Sequence, residues 1–264
     1  MSLINEIKAV LTPKEIVFKE MKKEDEGIYT FVFEPVKPLE WRAGKHAMFF
    51  ITHKKIDKAM RLFSISSCPS ENKIAITTKI GENPSDYKKA LLELRPTMKM
   101  KLRGPMGPFV LQQARTNCFI AGGIGITPFR SMMKEIDISK QKFNGIIKLL
   151  YINSSDSFLF GGELKAMDNE KTSTEFFIDK QVIENRIKQM VSQNDNTVFF
   201  VAGTKQMTNS IKEMLIELGV KKKNIKTDTF IGYKYFISLS ENILYILCRH
   251  NLPGMVYNNG KVKN

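Results

Sequence analysis

The pattern of apolar and polar positions divides the chain into two halves with different periods. From Glu15 to about Gln112, short β-rich runs at residues 16–18, 29–33, 47–51 and 74–80 are separated by turn residues, which predicts a small antiparallel barrel. One helix interrupts it: Pro84-Ser85-Asp86-Tyr87 opens a segment in which Tyr87, Leu91, Leu92 and Leu94 share one face. A last strand over residues 98–102 leads to a Gly104-Pro105 turn. Strands at residues 119–121, 145–152, 175–178 and 198–202 then alternate with helical patterns, among them residues 158–167 and 207–218, the rhythm of a parallel sheet. In the last helix, Met207, Ile211, Met214, Leu215 and Leu218 line one side. The fold class is therefore α+β with two domains: an antiparallel β-barrel over residues 1–112 and an α/β parallel-sheet domain over 113–233. An extension over 234–264 begins aromatic and apolar at Tyr235, and is expected to form a short helix followed by a frayed end.

The change of period is sharpest at Phe119-Ile120-Ala121-Gly122-Gly123-Ile124-Gly125-Ile126-Thr127-Pro128, which reads as strand, glycine turn, helix. Gly122, Gly123 and Gly125 carry no Cβ to keep a ligand from the backbone. Thr127 is placed as N-cap and Pro128 at the first helical position, where a missing N–H costs nothing. The free amides and the positive helix end favour an anion, and a nucleotide pyrophosphate is the usual occupant of such a junction. The final glycine of the Rossmann fingerprint is replaced by Thr-Pro, which points to a different nucleotide-binding family.

Composition narrows the function classes. Hydrophobic residues make up 42% and charged residues 26% of the 264 positions, as in an ordinary globular protein with enough length for two cores. No apolar stretch reaches the ~18 residues of a membrane helix and the first fifteen residues lack a cleavable leader pattern, so a cytoplasmic location is expected. Cys68, Cys118 and Cys248 are odd in number and far apart, which argues against a disulfide framework and against an iron–sulfur cluster. His46, His53 and His250 lack metal-ligand spacing, and no metal is assigned. The net charge of +14 attracts acidic partners, but its lysines are dispersed without interleaved aromatics, so nucleic acid is not the expected partner.

Arg61-Leu62-Phe63-Ser64 lies within the barrel pattern, ahead of Gly81-Glu82-Asn83-Pro84-Ser85 at the helix start. An arginine can clamp a diphosphate, an aromatic can stack on a planar ring, and a serine hydroxyl can bond a ring nitrogen. With these come Gly104-Pro105-Met106-Gly107-Pro108-Phe109, the glycine turn, Phe199-Phe200-Val201-Ala202-Gly203-Thr204-Lys205-Gln206-Met207, and Thr227-Asp228-Thr229-Phe230. In that order, over roughly residues 15–233, the chain resembles the ferredoxin–NADP reductase superfamily.

The resemblance implies a flavin-binding barrel followed by a nucleotide-binding domain, with FAD (or FMN as the alternative) held between them and NADH or NADPH as substrate. It assigns flavin contacts to Arg61, Leu62, Phe63, Ser64, Thr78, Lys79, Gly81, Pro84 and Ser85. Coenzyme contacts fall to Gly122, Gly123, Gly125, Thr127, Pro128, Asn153, Ser154, Gly203, Lys205 and Met207. Ser64, Asp228 and Phe230 are the residues implied at the reacting centre, Ser64 supporting hydride arrival at flavin N5. The implied activity is an NAD(P)H oxidoreductase that passes electrons to a separate acidic acceptor such as ferredoxin or flavodoxin. A non-catalytic flavin-binding or redox-sensing subunit is the rival reading. The chain departs from the family pattern at Ala202, commonly cysteine, at Asp228, usually glutamate, and in continuing beyond Phe230. Coenzyme choice is expected to be set after Tyr151, where Asn153-Ser154-Ser155-Asp156 offers hydroxyls and a carboxylate in place of an arginine and leans to NADH, with Lys205 as the opposing charge. Arg61→Ala is expected to lower flavin retention on purification, read from visible absorbance per protein; full occupancy would remove Arg61 as a clamp.

Overall fold

The structure, a computed structural model, describes residues 9–139, 143–193, 196–230, 256–258 and 261–263, with the side chains of Phe230 and of the last two segments outside that description. Two compact units result, Met1–Phe230 and Ile231–Asn264. In the first, β1 (Lys14–Asp25), β2 (Ile28–Pro35), β3 (His46–Phe50), β4 (Met60–Ser64), β5 (Ile74–Lys79) and β6 (Lys99–Met106) form one sheet. Its order is β4-β3-β6-β1-β2-β5, antiparallel throughout, a half-barrel. Period-2 alternation fills its inside: Ile16 and Phe18, Phe31 and Phe33, Ile74 and Ile76, Met100 and Leu102 belong to one buried cluster. Helix α1 (Asp86–Leu92) adds Tyr87, Ala90 and Leu91, while Leu92, expected on the same face, is exposed. The Tyr87 hydroxyl donates to the Phe49 carbonyl at 3.1 Å, which satisfies a fully buried polar group. The expected turn at Gly104-Pro105 lies instead inside β6, where that peptide is cis.

The second sheet comprises β7 (Thr116–Gly122), β8 (Ile146–Ile152), β9 (Thr172–Phe177), β10 (Thr197–Thr204) and β11 (Ile225–Phe230), all parallel, in the order β11-β10-β7-β8-β9. Alternate residues of each strand serve opposite faces. Phe119, Ala121, Phe200 and Ala202 pack beneath α2 (Thr127–Ser139) and α3 (Gly161–Ala166). Cys118, Ile120, Phe199 and Val201 pack against α4 (Lys180–Gln193) and α5 (Lys205–Glu217). Apolar residues on both strand faces are the mark of a parallel sheet covered on both sides. Residue 112 falls in the connection between β6 and β7, where Phe109 stacks on Phe129 at 5.6 Å and meets Phe200 edge-on at 5.3 Å. Among the described residues no helix is long and apolar enough to cross a membrane.

In the second unit, β12 (Val256–Asn258) and β13 (Lys261–Lys263) pair antiparallel where a frayed end is expected from sequence. The expected short helix of the extension and Cys248 lie outside the described residues.

The two sheets of the first unit are joined by a half-buried charge network. On α2, Arg130 is bonded by one edge to Glu71 (2.7 Å) and by the other to Glu163 (2.8 and 2.9 Å), and it also donates to the Ser66 carbonyl at 2.9 Å. Close by, Ser70 donates through its backbone amide and hydroxyl to Glu135, and the Ser131 hydroxyl donates to the Ser67 carbonyl at 2.6 Å. Gly44, with φ +89°, lets the barrel loop settle on α2, since a Cβ there would lie 2.4 Å from Met132 Sδ.

Burial opposes ionisation of Glu71, but the hydrogen bonds and charge of Arg130, helped by the Cys68 amide and Lys73, outweigh it and hold the carboxyl at about 2. Since that lies below the unfolded value, the contribution is complete above pH about 4.5 and disappears as pH falls through about 2, an effect of roughly 3 kcal/mol. Glu71→Gln is expected to lower stability at pH 7 by about that amount and to flatten the loss between pH 5 and pH 2.5 in urea unfolding; parallel pH profiles would exclude this role.

Candidate functional site

Strand order reverses between β7 and β10, so the crevice at their carboxyl ends is the topological switch point where open α/β sheets bind ligands. Gly122 closes β7 in extended backbone, and Gly123–Ile126 forms a 3-10 turn with Gly123 at φ +52°. Gly125 lies directly against β10: a Cβ there would stand 2.2 Å from the Ala202 carbonyl oxygen, so only glycine permits this approach. Met207, in the first turn of α5, lies across the two strand tips, its sulfur 2.1 Å from a Cβ built on Gly122 and 3.0 Å from one built on Gly203. The α5 cap is Thr204, whose hydroxyl oxygen accepts from the Met207 amide at 3.3 Å, and Lys205 follows, exposed.

Thr127 departs from its expected role. Its backbone is already helical (φ −57°, ψ −46°), and its hydroxyl donates to the Ile124 carbonyl at 3.2 Å in place of accepting from an amide. The reason is the 3-10 turn, which begins the helical winding earlier and moves the extended cap position to Gly122, with Pro128 buried inside the first α2 turn. On the other side of the crevice, the Tyr151 hydroxyl donates to the Gly123 carbonyl at 3.0 Å. Half-buried Asn153 donates its side-chain amide to the Ser157 carbonyl, and Ser154 is exposed.

The antiparallel sheet meets this crevice through Ser64, the buried last residue of β4. Its Oγ donates to Asp228 Oδ2 at 2.9 Å. Asp228 stands opposite Ala202 in the β10–β11 register, and Phe230 ends the same strand opposite Thr204. Gly125, Ala202, Asp228 and Ser64 therefore form a continuous path from glycine turn to barrel. A hydroxyl paired with a carboxylate can hold a proton at the Ser64 oxygen or turn it toward a ligand acceptor.

A second group lies further back along β4. Arg61 donates to the carbonyls of Lys58 (3.0 Å) and Met60 (2.7 Å) and sits over the Tyr87 ring at 5.2 Å. Leu62 is exposed, while Phe63 packs edge-on to Phe49 and tilted against Tyr87, both at 5.9 Å. On β5, Thr78 is buried and Lys79 exposed, and the Lys79 carbonyl accepts from Lys88 Nζ. Burial, and then the charge of Arg61, lower the Lys88 pKa, so two cations face one region. A Cβ on Gly81 would touch nothing within 4 Å, so space is open there. Half-buried Pro84 precedes Ser85, which caps α1 with no side-chain bond to the helix. This group suits an anion beside an aromatic platform. Sequence reasoning missed Lys88, although it stands one helical turn after Ser85, and also missed Arg130 and Glu71, which are distant from one another in sequence.

Residues 119–213 match the family described as the oxidoreductase NAD-binding domain. The chain is 25% identical over 239 residues to flavohemoprotein A of Dictyostelium discoideum, covering 82% of this chain and 60% of that protein. It is 30% identical over 154 residues to the chloroplastic ferredoxin–NADP reductase of Spinacia oleracea, covering 48% of this chain and 42% of that one. Thus it spans about half the length of these curated relatives. In fold it is similar to ferredoxin–NADP+ reductase from Plasmodium falciparum, with a TM-score of 0.68, 17% identity, and coverage of 84% of this chain and 97% of that one. By its sheet orders, its glycine turn and these likenesses, the chain is similar in sequence and in fold to members of the ferredoxin–NADP reductase superfamily, and its residues 119–213 form an oxidoreductase NAD-binding domain.

Proposed function

We propose that the chain is an NAD(P)H-dependent flavin oxidoreductase, in which residues 1–112 hold FAD, residues 113–233 hold the coenzyme, and electrons pass to a separate acceptor. The observation that carries this reading is the Ser64–Asp228 hydrogen bond of 2.9 Å. It sets one polar pair where the carboxyl ends of the parallel strands face the half-barrel. The residues fit a flavin. Arg61 and Lys88 lie close enough to sense one another's charge and the backbone at Gly81 leaves space open, in keeping with a diphosphate, and the aromatic Phe63 directly precedes Ser64 on β4. FAD, when bound, supplies the hydride-accepting and electron-donating chemistry.

The chain's own contribution is position and electrostatics. Gly122, Gly123 and Gly125 admit the dinucleotide backbone closely, while Gly203 and Met207 line the side where its ring would lie. Ser64 would present its hydroxyl oxygen to the ring edge, while its O–H is held on Asp228, which supports a proton held between the two. The acceptor is an acidic redox protein of the ferredoxin or flavodoxin type, favoured by the +14 net charge, which speeds encounter with such partners. Two relatives bear ferredoxin–NADP reductase in their names, in keeping with this choice.

Anaerobic mixing with NADH or NADPH is expected to bleach the flavin absorbance, with Ser64→Ala retaining flavin but slowing reduction by roughly 10–100-fold. A bound flavin that neither coenzyme reduces would favour the non-catalytic reading, and an unchanged rate in Ser64→Ala would remove Ser64 from the reaction.

A further inference from the structure

Asp25 ends β1 in the antiparallel sheet, yet its carboxylate reaches the loop after β8 in the parallel one. The Ser157 hydroxyl donates to Asp25 Oδ2, and Asn153 Nδ2 donates to the Ser157 carbonyl. Asn153 in turn borders the glycine turn, its Oδ1 3.8 Å from a Cβ built on Gly123. Asn153, Ser157 and Asp25 are thus linked by hydrogen bonds in a line that starts beside Gly123 and runs outward from the crevice. Asp156, exposed beside Ser157, adds a second carboxylate to the same loop. The Ser157 bond, and then the Glu26 amide, hold the Asp25 carboxyl below its usual range, so it is anionic at neutral pH.

Strand β8 is the second strand of the β7–α2–β8 unit. The loop after that strand reads the adenosine ribose of a dinucleotide, where an acidic group suits a free 2′-hydroxyl and repels a 2′-phosphate. We propose that Asp25, contributed by the antiparallel sheet, selects the coenzyme without a 2′-phosphate, NADH over NADPH, and anchors the 153–157 loop; this rests on the coenzyme-binding reading above. The opposing charges do not cancel the effect. Lys23 lies near enough to offset part of the Asp25 charge, but Asp156 restores the negative balance. Lys205 begins α5 after β10, two strands from β8 and so roughly 10 Å across the sheet.

The test uses the holoprotein in two arms. Single-turnover flavin reduction gives the apparent Kd and limiting rate for NADH and NADPH, and calorimetry gives binding of 2′-phospho-AMP without turnover. The wild type is expected to bind NADH at least tenfold more tightly than NADPH. Asp25→Asn keeps an acceptor oxygen for Ser157 but removes the charge, and is expected to shift the ratio about tenfold toward NADPH and tighten 2′-phospho-AMP. Ser157→Ala leaves the charge and frees the loop, and is expected to raise the apparent Kd for both coenzymes with little change in limiting rate. Equal use of both coenzymes by the wild type, or a ratio unmoved in Asp25→Asn, would overturn the inference and leave the oxidoreductase reading standing. If neither coenzyme reduces the flavin, that reading fails, and the 2′-phospho-AMP arm still decides on Asp25: unchanged affinity in Asp25→Asn overturns its role.

Discussion

Arg130 is the constraint on which the geometry of the rest depends. Its guanidinium is bonded by one edge to Glu71 of the barrel half and by the other to Glu163 of the parallel-sheet half, with the Ser66 carbonyl as a further acceptor. A planar fork with fixed N–H directions leaves little freedom to either partner. Its value to the fold is less a matter of net energy, since a buried ion pair must first overcome desolvation, than of uniqueness: any sliding of one half over the other would strand a charge. The neighbouring Ser70–Glu135 and Ser131–Ser67 contacts share the same seam and reinforce one register.

That register brings two chemically different regions within reach of one another. The parallel sheet contributes backbone: glycines at strand tips, with amides and carbonyls at close quarters. The half-barrel contributes side chains, an arginine, an aromatic ring and a serine spaced along a single strand. Ser64 is where the two meet, and its partner Asp228 stands on an edge strand whose register is set by β10. A polar pair contributed by both sheets exists only when the seam is closed, so the arrangement of the halves and the integrity of the site are one property.

Much of this was legible in the sequence because it rests on local rules. The β-rich runs at residues 29–33 and 74–80 placed β2 and β5, and the strand, glycine turn and helix sequence marked the nucleotide-binding junction without any tertiary knowledge. Local rules also explain the misreading of Thr127: a threonine before proline looks like a cap, and only the winding of Gly123–Ile126 shows that the helix has already begun. Leu92 was misplaced for a similar reason, because α1 is short and its buried stripe narrow. The Arg130 network and the Asp25–Ser157 contact were invisible for a different cause. Arg130 and Glu71 are far apart along the chain, as are Asp25 and Ser157, and a charged residue destined for burial looks the same in sequence as one bound for solvent.

The contact between Gly125 and the Ala202 carbonyl bears on how the architecture is inherited. The crevice width is fixed there by main chain against main chain, with no side chain between them as a spacer. Neighbouring side chains can therefore be exchanged over generations without altering the slot, provided the glycine persists and the strands keep their order. A scaffold whose critical dimension is written in backbone can drift far in composition and still present the same opening.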